Sequence, residues 1–118
     1  MKRRFRLTRS TDVQRVRRSG KSYAHPLVVL YAIRSDDSEG VVRVAASAGL
    51  AVGNAVRRNR AKRLLRAAMN ELLPRTVPGS ELLLIARPAM TGADLRQTRT
   101  ALQSLLERAG LLSPLHDD

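Results

Sequence analysis

Apolar positions come in blocks whose spacing changes along the chain. Residues 27–34 hold a dense β-branched and aliphatic run, which predicts a strand. Residues 41–48 predict a second strand, expected as the other arm of a hairpin closed by the polar turn at 35–40. A short strand is expected at 21–24, ahead of Pro26. Residues 81–86 are continuously apolar after Glu81, the pattern of a strand covered on both faces.

Elsewhere the period is helical. Val13 and Val16 sit on one side of a helix over 8–18, capped by Thr8 or Ser10 and stopped by Ser19-Gly20. Over 54–73, Ala61, Leu64, Leu65, Ala68, Met69 and Leu72 share one arc at roughly 100° per residue. Asn54 is a favoured N-cap and Pro74 marks the end. Leu95, Thr98, Leu102, Leu105 and Leu106 predict a last helix, with Asp94 as its cap and Gly110 as its stop.

The expected order is α-β-β-β-α-β-α. The strand–helix–strand passage through 41–48, 54–73 and 81–86 requires at least one parallel pair. The fold expected is an α/β (α+β) two-layer sandwich of three helices on one mixed, mostly antiparallel sheet of about four strands. Residues 1–112 make one domain and residues 113–118 a frayed tail.

Composition narrows the chemistry. The chain has 118 residues, 43% of them apolar, and its aromatics are Phe5, Tyr23 and Tyr31 alone. The absence of Cys excludes disulfides, thiolate metal ligands and a thiol nucleophile. No apolar run is long enough to span a bilayer. The Arg-rich start has no secretory apolar segment and suits a mitochondrial-type presequence only in part, because of Asp12 and the helical pattern behind it. A soluble cytoplasmic protein is expected.

The net charge is +12. Arg outnumbers Lys 19 to 3, which suits phosphate recognition and equally fits a codon bias toward Arg and Ala. The charge is concentrated: residues 1–18 hold eight basic residues against Asp12, and 57–66 hold six with no acid. Asn59, Arg60, Lys62, Arg63, Arg66 and Asn70 fall opposite the apolar arc, Arg58 lies at its border, and Val56 breaks the pattern in the first turn. A solvated face normally mixes signs in i,i+4 pairs, whereas no acid lies between Glu39 and Glu71. A polyanion is the expected partner, nucleic acid ahead of an anionic membrane. Tyr31 either packs in its strand or stacks a base.

No catalytic set is present. His25 and His116 lack a common partner, Asp36 and Asp37 share a turn without a spaced third ligand, and Gly40, Gly49 and Gly53 form no phosphate loop. Neither a catalytic residue nor a protein metal ligand is assigned.

The segment Val52-Gly-Asn-Ala-Val-Arg-Arg-Asn-Arg-Ala-Lys-Arg-Leu-Leu-Arg66 resembles the signature of the bacterial ribonuclease P protein component. That family carries Gly-Asn-Ala-Val, one variable residue, Arg-Asn-Arg, another variable residue, Lys-Arg and a downstream Arg, and every fixed position is met. The Leu30-Tyr31 strand, Arg43-Val44 and Ile85-Ala-Arg87 also fit. The resemblance implies a hydrolytic ribonucleoprotein that removes the 5′ leader of precursor tRNA. A large RNA with bound Mg2+ performs the cleavage there, and one small protein binds that RNA and the leader. Ribonuclease P RNA and precursor tRNA are the implied partners, with no membrane or protein partner. By position, Arg57, Arg58, Asn59, Arg60, Lys62, Arg63 and Arg66 would meet the catalytic RNA, and Gly53 and Asn54 would start their helix. Arg9, Val13, Arg17 and Tyr31 would line the leader groove. The chain departs from the family at Val13 and Arg17, where aromatics are usual, and at Leu50-Ala51, where a basic pair is common. The family also implies a left-handed crossover between the third and fourth strands. A ribosomal or ribosome-associated RNA-binding protein is the main alternative, and a metal-dependent nuclease acting alone is a third.

Overall fold

The computed structural model describes residues 1–34 and 40–113. Leu82, Leu83 and Leu84 are each at most 2% exposed, so strand β4 (Glu81–Ala86) is covered on both faces, as its unbroken apolar run predicts. It pairs antiparallel with β2 (Val28–Ile33), Leu84 opposite Leu30, and parallel with β3 (Arg43–Ala48), Leu84 opposite Ala46. Strand β1 (Lys21–Ala24) pairs with the other side of β2, giving the order β1-β2-β4-β3.

The expected parallel pair is present, but the expected hairpin is not, because β4 lies between β2 and β3. Burial explains the exchange. β4 offers apolar side chains in both phases of the pleat, whereas β3 exposes Arg43 and Ser47 and is better placed at an edge. The turn assigned to 35–40 lies almost wholly outside the described residues.

Helices α2 (Ala55–Leu72) and α3 (Leu95–Arg108) cover one face. Leu65, Met69 and Leu72 of α2 join Leu102, Leu105 and Leu106 of α3 in a core over Leu30, Leu82 and Leu84. The apolar arc of α2 is as expected, with Leu64 half-buried at its margin. Asp94 caps α3 in a reciprocal box with Gln97, while Leu95 stays 37% exposed.

Helix α1 (Ser10–Ser19) lies on the opposite face, where Val16 packs with Leu7 and Leu83. Neither Thr8 nor Ser10 is its cap. Arg9 occupies that position in an extended conformation without a side-chain cap bond, and Asp12 supplies negative charge in the first turn. Arg15 reaches Glu81 in a fork, Nη1 to Oε1 at 3.0 Å and Nη2 to Oε2 at 2.6 Å. That pair fastens α1 to the start of β4, and it raises the Arg15 pKa through its hydrogen bond and charge. The chain leaves α1 through Gly20, where a Cβ would stand 2.5 Å from the Val16 carbonyl oxygen.

The basic N-terminal stretch belongs to the domain. After a turn at Arg3–Phe5, Arg6 bridges Val44 in parallel and the Leu7 N–H donates to the Val44 carbonyl at 2.8 Å. At the other end, the Ser113 N–H donates to the Arg75 carbonyl at 2.7 Å.

Candidate nucleic-acid interface

The start of α2 is built by backbone geometry. Gly53 has φ 136° and ψ −155°, a region open only to glycine, and a Cβ there would meet Arg57 Cδ at 2.8 Å. Asn54 Oδ1 then accepts the Arg57 N–H at 3.0 Å. These two residues aim the helix that carries the cations.

Those cations do not form one row. With roughly 100° between residues, Arg58, Lys62 and Arg66 run at intervals of four along one flank. Asn59, Arg63 and Asn70 point outward, and Arg57 and Arg60 fall on the far flank. Arg60 donates to the Ala93 carbonyl at 2.8 Å and the Met90 carbonyl at 3.5 Å, gripping the Pro88–Gly92 turn ahead of α3. Among the described residues the ion pairs are Arg15–Asp12, Arg15–Glu81 and Arg99–Glu71. None includes a cation of 57–66, so the row Arg58-Lys62-Arg66 bears uncompensated repulsion of about 0.2–0.5 kcal/mol per neighbouring pair.

Arg66 is half-buried, and its pKa is lowered first by burial and then by the charge of Arg6. The two arginines line a cleft of about 410 Å³ together with Thr8, Val13, Ala45 and Ser47. Sequence reasoning missed Arg6 and Ser47. The alternation of Arg6 outward and Leu7 inward was a readable sign of an extended segment.

The cleft continues beneath α1. Val13 and Tyr31 stand half-buried beside Ile33, Ala45 and Ile85, because α1 covers this face incompletely. The Arg17 guanidinium carbon lies 6.0 Å from the Tyr31 ring centroid, within cation–π range. Val13, Arg17 and Tyr31 therefore come together. Arg9 stands apart, in a smaller hollow with Arg6, Asp12 and Arg43.

The other candidate chemistry stays dispersed. His25 Nδ1 accepts the Leu27 N–H at 3.1 Å, beside a cavity of about 670 Å³ at α3 that contains no signature residue. His116, Asp36 and Asp37 lie outside the described residues. Among those described, no three His, Asp or Glu side chains converge on a possible metal position, and no helix is long and apolar enough to cross a membrane.

Fold and surface define a class: a small mixed α/β protein whose central helix carries cations at 57–66 without a carboxylate partner among the described residues, beside a half-apolar cleft. Known proteins narrow it. The ribonuclease P family matches residues 1–110. The ribonuclease P protein component of Listeria welshimeri is 34% identical over 107 residues, covering 91% of this chain and 89% of the relative. That of Shouchella clausii is 33% identical over 116 residues, covering 98% and 94%. The RNase P protein of Staphylococcus aureus superposes with a TM-score of 0.79 at 25% identity, covering 92% of this chain and 98% of that one. The Thermotoga maritima RNase P protein, at 23% identity and a TM-score of 0.72, shares the fold and covers 91% and 97%. The chain belongs to the ribonuclease P protein family, the protein components of a tRNA-processing ribonucleoprotein.

Proposed function

We propose that this chain binds the catalytic RNA of ribonuclease P, one protein per RNA, and helps it remove the 5′ leader of precursor tRNA in the cytoplasm. The observation that carries this reading is continuity: the cleft holding Arg6, Val13 and Arg66 adjoins both the cationic flank of α2 and the groove under α1. Arg58, Lys62 and Arg66 meet phosphates of the folded RNA, and Asn59 and Asn70 meet sugars or base edges. The leader, single-stranded, passes along the groove with a base on Tyr31 and a phosphate near Arg17. Charge and aliphatic contact at Arg17 and Val13 thus serve where the family usually has aromatics.

Phosphodiester hydrolysis is assigned to the RNA. Magnesium is assigned to the RNA as well, as the family resemblance implies. The protein offsets phosphate repulsion between the two RNAs and holds the leader beside the reacting bond. Family membership favours this reading over the ribosomal one.

Reconstitution tests it. Transcribed ribonuclease P RNA is incubated with precursor tRNA at low magnesium, with and without the protein. Leader removal should depend on the protein and saturate at one per RNA, and protein freed of RNA should cleave nothing. Absence of stimulation at every ratio would refute the proposal.

A further inference from the structure

Among the described residues, the two most exposed of the large apolar side chains flank Gly53: Leu50 is 82% exposed and Val56 72%. Ala51 and Ala55 beside them are exposed as well. This surface is held outward. Val52, between them, is 4% exposed and anchored in the core. The Val52 N–H donates to the Gly49 carbonyl and the Gly53 N–H to the Leu50 carbonyl, each at 3.1 Å. Gly53 then turns the chain directly into the capped helix. The result is an apolar knob fixed at the head of α2.

Its neighbours select its occupant. Val56 precedes Asn59 by three residues and Arg63 by seven, so it shares their outward face. Anything lying on the knob also meets Arg63, which has no carboxylate partner among the described residues. An unpaired stretch of RNA brings phosphates and an apolar base face in one strand, whereas a duplex hides its base faces in stacking. We infer that the Leu50–Val56 knob packs against the face of an unpaired base in the RNA held by α2, adding a salt-independent contact to a salt-dependent one. This inference rests on the proposed role of the α2 face.

The test is the full-length double variant Leu50→Ser, Val56→Ser, titrated against transcribed ribonuclease P RNA and against a fully paired RNA duplex. Affinity for the first should fall about tenfold, the scale of losing burial of one aliphatic side chain. Affinity for the duplex, the salt slope and the melting temperature should not change. Unchanged affinity for ribonuclease P RNA would overturn the inference alone, as would an equal loss on the duplex. Concentration-dependent self-association of the RNA-free protein, lost in the variant, would overturn it in favour of a contact between copies. A wild-type chain that binds ribonuclease P RNA no better than duplex would overturn the proposed function and this inference together.

Discussion

Arg60 and Arg63 stand three residues apart in the signature, yet their surroundings assign them different work. Arg63 is exposed, and no protein partner is seen for it among the described residues. Arg63→Ala should leave stability within about 0.5 kcal/mol, as for an ordinary surface change. If Arg63 holds one phosphate, its loss lowers the log–log salt slope by roughly 0.7–0.9, so the affinity ratio of wild type to variant shrinks about threefold between about 50 and 200 mM salt. Arg60 instead closes a 2.8 Å bond to the Ala93 carbonyl and a long one to Met90. Hydrogen bonds from charged groups are worth about 1.5–3 kcal/mol, and exposure brings this one nearer 1 kcal/mol. At roughly 2.1 cal/mol/K of unfolding entropy per residue, that lowers the melting temperature by about 4 °C. Calorimetry on both variants and filter binding across a salt series separate the roles. Should Arg60→Ala melt like wild type and flatten the salt dependence as much as Arg63→Ala, the carbonyl grip would be irrelevant and Arg60 a phosphate contact.

Two further outcomes follow from local geometry. Folding disfavours the charge on Arg66, and since its titration lies far above neutral pH the penalty is constant near pH 7 and would fade only as pH rises through that titration. Arg66→Gln should therefore raise the melting temperature at low salt while weakening RNA binding, and the gain should shrink in phosphate buffer; a lower melting temperature would contradict this. Gly53→Ala should cost on the order of 1–3 kcal/mol in urea unfolding, because its φ of 136° is closed to alanine. Gly49→Ala, with open space around its Cβ and no positive φ, is the control and should be nearly neutral.

What sequence could show here was mostly local. The apolar arc of α2, the Asn54 and Asp94 caps and the double-sided burial of β4 depend on neighbours within a turn or a pleat, and each is found. The pairing of β2 and β3 was misjudged because closeness along the chain favoured a hairpin, while competition for the buried centre of the sheet favoured β4. The cationic face was legible as a composition of charges and illegible as a division of labour. Whether an arginine on the flank of α2 faces solvent or a carbonyl depends on where the Pro88–Gly92 turn arrives, some thirty residues away. Arg6 escaped notice for the same reason, since it gains meaning only when its segment settles beside Val44 and opposite Arg66.

The clasp of Arg6 and Leu7 on Val44 has a consequence for solubility. Strand β3 ends the sheet, and a bare terminal strand is a template on which other chains can polymerise. Here the polypeptide occupies part of that rim with its own leading residues and surrounds it with guanidinium groups, so the molecule guards itself against fibre-like stacking. Deleting residues 1–7 would uncover the rim and remove four positive side chains at once, leaving a protein prone to precipitate even where the rest of its architecture survives.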